Sequence, residues 1–248
     1  MIRKAALLAF GLWLSGTSHA LAQDDTTFAV DLADRQISIT TGFNGADLLV
    51  FGAISRGKVI LSIEGKNENY QVRKKNRVGG IWLNNESRKL RDLPNFYAIA
   101  SSQDALEHIS DQERLNNRIG YDAITGDLPI FDAHGREFFQ SLVKIKEENG
   151  LYQIQHNKIQ VSPSGLFRVN IQIPASVPPG DYTIRALSVE NGKVLQKYQT
   201  AMSVNKVGFG AQIYNAAYQY PKLYGIGAII ISVLSGLLAS FVFNRRKA

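Results

Sequence analysis

The chain has no cysteine, and that absence removes disulfide scaffolds, thiolate metal sites and cysteine nucleophiles together, whatever compartment it occupies. Seven prolines and 21 glycines among 248 residues are too few for a collagen-like or low-complexity chain, and a 45% hydrophobic share is enough for a real core. Acid is missing from both ends. Residues 1–22 carry Arg3 and Lys4 and no Asp or Glu, and residues 223–248 carry Arg245, Arg246 and Lys247 and none either. Between them 23 bases face 21 acids, so most of the +7 net charge belongs to the termini. A nearly neutral middle speaks against nucleic acid as a partner.

The ends read as membrane signals. Arg3 and Lys4, an apolar run from Ala5 to Leu14 and Ala20-Leu21-Ala22 before Gln23 have the order of a cleaved secretory signal peptide over residues 1–22. Leu223 to Phe243 is 21 residues without one charged residue or histidine, long enough at about 1.5 Å per residue to span about 30 Å of hydrocarbon. Asn244-Arg245-Arg246-Lys247 follows, and positive charge retained on the cytoplasmic side predicts a cytoplasmic tail at 244–248 with the bulk outside. Tyr214, Tyr218, Tyr220 and Tyr224 mark the outer interface, where amphipathic rings favour the headgroup layer. Ala228, Ser232, Gly236 and Ser240 recur every four residues and stack on one helix face, against which a second helix can dock. Small residues are also simply common in membrane helices, and both readings stand.

The middle is mainly β. Short alternating or apolar runs at Gln36–Thr40, Asp47–Ile54, Val59–Ile63, Tyr70–Lys74, Ile81–Asn84 and Phe96–Ala100, broken by Ser55-Arg56-Gly57 and Gly79-Gly80, predict a first sandwich unit over 23–101. A helical insert is predicted over 102–149. It contains a short helix at Gln103–Ile109, a capping box at Ser110 to Glu113 opening a helix with Leu115 and Ile119 four apart, and a helix at Gly135–Asn149 with Phe138, Leu142 and Ile145 at i, i+4 and i+7 of one stripe. Gly150 stands where a left-handed cap is wanted. A second strand unit over 150–206 follows from Phe167, Val169, Ile171 and Ile173 alternating with polar residues, and from the Asn191-Gly192 hairpin. Residues 207–222 connect it to the span at 223–243. The expected architecture is an Ig-like antiparallel β-sandwich ectodomain, two strand-rich units with a helical insert, plus one C-terminal transmembrane helix.

Several stretches resemble a known family. Val72-Arg73-Lys74-Lys75, Gly80-Ile81-Trp82-Leu83-Asn84, Pro94-Asn95-Phe96-Tyr97-Ala98-Ile99-Ala100-Ser101, Gly150-Leu151-Tyr152, Leu166-Phe167-Arg168 onward to Pro174, Val177-Pro178-Pro179-Gly180-Asp181-Tyr182 and Tyr224-Gly225-Ile226 resemble the alphaproteobacterial putative transmembrane protein family. The resemblance implies a periplasm-facing single-span protein of a Gram-negative inner membrane. It implies no catalytic residue and no cofactor. An association with neighbouring permeases of the sulfite-exporter type implies a transport accessory role.

Chemistry is thinly signalled. Ser141-x-x-Lys144 has the spacing of an amine-activated hydroxyl, but Ser55 with Lys58 and Ser203 with Lys206 repeat it without a Lys-Thr-Gly, so chance accounts for it. His108, His134 and His156 have no metal-ligand spacing, and Asp132 beside His134 is the one pair to inspect. No metal or catalytic set is assigned. Lys66 to Arg91 holds eight bases and two acids, whereas Asp92 to Asp132 holds two bases and eight acids. The favoured reading is that the two segments face each other; the other is that Arg73, Lys74, Lys75 and Arg77 meet a small anion or anionic headgroups. Trp82 is read as a core residue.

The leading expectation is a noncatalytic, membrane-anchored periplasmic interaction protein, accessory to an integral-membrane protein such as a transporter, or a homodimer through its span. The competing expectation is a periplasmic anion-binding receptor or hydrolytic enzyme using the basic strand region. A ligand-free envelope spacer is the third.

Overall fold

A computed structural model describes residues 27–125 and 133–245. The leader at 1–22, Asp132 and most of the tail lie outside the described residues. Two sheets share one core. The first has the order β1 (Phe28–Leu32), β3 (Gly45–Ile54), β10 (Leu166–Pro174), β9 (Gln160–Val161), with every pairing antiparallel. The second has the order β2 (Gln36–Ile39), β12 (Lys193–Lys206), β11 (Gly180–Glu190), β4 (Lys58–Glu64), β7 (Tyr97–Ser101), β8 (Tyr152–Gln155). Its neighbours are antiparallel except at the edges, where β2 runs parallel to β12 and β8 parallel to β7.

Alternation decides which faces meet. In β10 Phe167, Val169, Ile171 and Ile173 are buried and Arg168, Asn170 and Gln172 are exposed, because successive side chains leave a strand on opposite sides. Those four pack with Leu48 and Val50 of the first sheet and with Leu61, Ile63, Ile184 and Val204 of the second. Each such aliphatic contributes about 1.5–3 kcal/mol on leaving water. The strands before and after the insert are thus interleaved: β3 lies between β1 and β10, and β4 between β11 and β7. The two strand-rich segments, 23–101 and 150–206, are units of sequence and not separate sandwiches, since each of the two packed sheets draws strands from both.

β4 is buried on both faces and accordingly reads as a near-continuous apolar run. Val59, Leu61 and Ile63 face the inter-sheet core, whereas Ile60 joins a second core beneath the insert. That second core sits under α1 (Ala105–His108), α2 (Asp111–Asn117), α3 (Tyr121–Ile124) and α4 (Ala133–Glu148) and includes Leu106, Ile109, Ile119, Ile124, Phe139, Leu142 and Val143. The capping box forms, with Glu113 N donating to Ser110 Oγ at 3.3 Å. Its helix stops at Asn117, however, where Arg118 turns left-handed at φ 57°, and this leaves Leu115 57% exposed while Ile119 is buried beyond the helix. In α4 Phe138 and Leu142 are buried as expected, but Ile145 is 51% exposed and Phe139 and Val143 take the inner face. Gly150 caps this helix at φ 67°.

After β12 come α5 (Phe209–Gln219) and α6 (Pro221–Arg245). Pro221 suits the first turn of a helix, where its missing N–H costs nothing. Within α6 Pro221–Ser240 has mean hydropathy 2.0 and is long and apolar enough to cross a membrane, and none of it is buried inside the protein.

Candidate functional site

β4 and β7 do not end with their sheet. Gly65 N donates to Phe96 O at 2.9 Å and Asn95 N to Lys66 O at 2.8 Å, and the ladder then continues as β5 (Asn67–Val78) paired with β6 (Ile81–Pro94). A Cβ on Gly65 at this handover would stand 2.1 Å from Asn95 Oδ1, so the Asn95 side chain would have to shift. The ribbon closes at Gly79-Gly80, both at positive φ, as a two-residue hairpin turn demands. Both strands run well past the short stretches predicted at Tyr70–Lys74 and Ile81–Asn84.

The four predicted contact residues all lie on β5, yet they part company. Tyr70, Val72 and Lys74 are half-buried on one side, and Arg73, Lys75 and Arg77 are exposed on the other. Lys74 Nζ lies 2.6 Å from Glu137 Oε1 on α4. That hydrogen bond holds the Glu137 carboxyl below its usual range and pushes the Lys74 amine up. The expected pairing with the acidic run 92–132 gives way here to Glu137, which lies beyond it. The reason is topological: α4 is the helix that lies along β5 and β6, and it follows the acidic run. The side chain of Trp82, read as core, is not among those described.

Beside the hairpin's root α4 is fastened by Lys146. Its amine donates to Tyr70 Oη at 3.2 Å and Asn95 O at 3.3 Å, and stands 4.3 Å from the centre of the Tyr70 ring. Burial lowers its affinity for the proton. Tyr121, stacked on Tyr152 at 5.8 Å, donates to Glu147 Oε1 at 2.8 Å.

A second polar cluster joins the insert to the sheet, and nothing in the sequence pattern announced it. Glu64, only 6% exposed, accepts from Arg118 Nε at 3.0 Å and from Arg185 Nη1. Tyr97 Oη donates to Arg118 O at 2.7 Å and accepts from Gly120 N at 2.8 Å. The one available sign was a glutamate closing the apolar run of β4; its partners lie 54 and 121 residues away. Both Glu64 oxygens and the Tyr97 hydroxyl are taken up, Arg118 Nη2 is left buried without a partner among the described residues, and the cluster acts as a clasp.

On α6 Ala228, Ser232, Gly236 and Ser240 are exposed along the helix, and nothing lies within 4 Å of a Cβ built on Gly236. Ser232 Oγ donates back to Ala228 O at 2.8 Å, which satisfies its hydroxyl within the helix. Tyr218, Tyr220 and Tyr224 are exposed around the α5–α6 junction; the Tyr214 side chain is not among those described.

The remaining candidates do not assemble. His134 lies on α4 with Nδ1 4.0 Å from Glu137 Oε2, and its neighbour Asp132 lies outside the described residues. His108 Nδ1 meets Asp104 O at 2.9 Å on α1, and His156 follows β8. Ser141 Oγ donates to Glu137 O at 2.8 Å, the ordinary back-bond of a helical serine. Among the described residues no group of three or more His, Asp or Glu side chains could hold a metal ion. A groove of about 940 Å³ runs over the outer face of the first sheet between Ala29, Asp31, Phe51, Val161, Leu166 and Arg168.

The body of packed sheets thus carries an extended cationic ribbon and one unburied helix long and apolar enough to cross a membrane. Over residues 27–245 the chain matches the family described as Putative transmembrane protein (Alph_Pro_TM), and it belongs to that family. No curated protein matches the chain.

Proposed function

We propose that this is a noncatalytic interaction protein, anchored by α6 in the inner membrane of a Gram-negative bacterium. Its leader is removed, its sandwich stands in the periplasm and its last residues reach the cytoplasm. The observation that carries the reading is the bareness of α6: a helix with mean hydropathy 2.0 contributes nothing to either core, so its apolar surface is left for lipid and for other helices. The partner is an integral-membrane protein, a transporter fitting an accessory of this kind, or a second copy of the chain.

The body is read as Ig-like. Two features support this. Strand order β1-β3-β10-β9 against β12-β11-β4-β7, with β2 crossing to lie parallel to β12, follows the ABED and GFC sheets with a switched first strand. Tyr182 Oη donates to Pro178 O, four residues upstream at 2.5 Å, in the manner of a tyrosine corner. Fold alone does not assign function, and the reading therefore rests on α6. A small-anion receptor fits less well, because Arg73, Lys75 and Arg77 are spaced about 6.7 Å apart along an open ribbon and do not converge.

Substitution at the α6 face tests the reading. Gly236→Ile should reduce co-purification of the membrane partner, or of a differently tagged second copy, without changing membrane insertion. Complexes of unchanged size and yield on native gels would remove the support.

A further inference from the structure

We propose that the β5–β6 hairpin is a second membrane contact, whose exposed cationic row binds anionic phospholipid headgroups of the bilayer that α6 crosses while its Gly79-Gly80 tip enters the interface. The inference rests on α6 being a span.

Position comes from register. β4 and β12 run in the same direction, each antiparallel to β11. The last residue of β4, Glu64, is level with Thr183, and Thr183 is level with Ala201. β12 runs on from there to Lys206 and into α5 and α6. The hairpin therefore departs from the end of the sheet that faces the anchor. Its 12-residue strand extends about 40 Å at about 3.3 Å per residue, against about 16 Å for the 11 residues of α5. The arm is long enough to cover the distance between sandwich and bilayer.

Charge supplies the chemistry. Residues 67–94 carry seven bases and three acids. Arg73, Lys75 and Arg77 are exposed on one face of the ribbon and make no ion pair among the described residues, whereas Lys74, on the other face, is spent on Glu137. Gln71 and Lys89 pair across the ribbon, so Lys89 extends the same row. A line of separate cations suits a plane of phosphates better than a single pocketed anion.

The tip differs from its stem. Val78, Ile81, Trp82 and Leu83 flank the two glycines in sequence, and Ile81 is 65% exposed at the end of an arm whose outer face carries Gln71, Arg73, Lys75 and Arg77. An apolar stretch of sequence at the turn beyond a cationic stem matches the order of layers at a bilayer surface, phosphate first and acyl boundary beneath.

The chain's lack of cysteine makes the test clean. Full-length protein carrying Ile81→Cys, labelled with an environment-sensitive nitrobenzoxadiazole, is placed in nanodiscs of phosphatidylcholine alone or mixed with phosphatidylglycerol. In anionic discs the emission should shift to the blue and be quenched by doxyl-labelled lipid. High salt should reverse both, and Arg73→Glu with Arg77→Glu should abolish them. A label at Lys193→Cys, at the far end of the second sheet, should report water throughout. A label at Leu234→Cys reports insertion of α6, so failure of the span is distinguished from failure of the arm. With α6 inserted, an Ile81 label that stays in water in anionic discs, or is quenched equally in both compositions, overturns the proposal. So does shielding of the tip that appears only when an acidic membrane protein is added, since that assigns the arm to a protein partner. The salt titration on the unsubstituted arm decides the matter if the double variant misfolds.

Discussion

Glu64 and Arg118 meet at 3.0 Å across the seam between the sheet and its helical cover, with Arg185 on the other carboxylate oxygen. Removing a buried carboxylate leaves two cations facing each other without an anion, and breaking a buried ion pair costs about 3–5 kcal/mol. The arginine side chains are 27% and 25% exposed, so water recovers part of that loss. Glu64→Leu should therefore destabilise the ectodomain by about 2–3 kcal/mol, read as a lower urea midpoint of the β-sheet circular dichroism signal of the full chain in detergent. An unchanged midpoint would show that the clasp is dispensable.

Tyr97 ties the same loop by two hydrogen bonds, to Arg118 O and from Gly120 N. Tyr97→Phe keeps the ring among Tyr121 and Tyr152 and strands one half-buried donor and one acceptor, an expected loss of about 1–2 kcal/mol. Because both residues act through Arg118, Tyr97→Phe and Glu64→Leu should cost less together than the sum of their separate effects. Strict additivity in a double-mutant cycle would argue for two independent seams.

Gly52 sits where β1 and the Phe167 ring close in from two sides. A Cβ there would stand 2.1 Å from Ala29 O and 2.6 Å from Phe167 Cζ. Gly52→Ala should destabilise by about 1–3 kcal/mol through overpacking. Gly42→Ala, with open space around it, should stay within about 0.5 kcal/mol of the parent. Equal midpoints for the two variants would contradict the packing described.

Alkaline titration reads the aromatic seam. Burial raises Tyr70, Tyr97, Tyr121, Tyr152 and Tyr182 above the ordinary tyrosine value. The folded chain then keeps protons that the unfolded chain releases above a pH of about 10. Their contribution to stability is complete below that pH and is lost as pH rises beyond it. Lys146 opposes this, because its lowered pKa makes its own contribution grow as pH approaches the unfolded lysine value. With five tyrosines against one lysine, net stability should fall above a pH of about 10. In ultraviolet titration these five should form tyrosinate only with unfolding. A single transition of all tyrosines without loss of structure would refute the buried cluster.

Much of the local structure was legible in the chain. The alternation of Phe167 to Ile173, the cap at Ser110, the left-handed Gly150 and the Asn191-Gly192 hairpin depend on neighbours within a few residues, and each is found where local chemistry puts it. The misassigned faces were also local readings. Leu115 and Ile145 fit a helical period, but α2 ends early and α4 offers the sheet Phe139 and Val143. A period identifies a stripe only when the helix persists and its neighbour lies where the stripe points. The length of the β5–β6 ribbon was hidden because its strands are rich in charge, and cross-strand pairing with an exposed face needs no apolar alternation.

From the sequence by itself came a long uncharged helix near the C-terminus, a chain of strands around a helical segment and a cation-rich stretch with an apolar turn, because hydropathy and turn chemistry act over a few residues. Tertiary structure decided that strands from both sides of the insert interleave in shared sheets, that Lys74 is paired while Arg73, Lys75 and Arg77 make no ion pair among the described residues, and that Glu64 is clasped by two arginines. Those outcomes depend on which distant residues are brought within a few ångströms, and Coulomb attraction, desolvation and packing act on that distance regardless of separation along the chain.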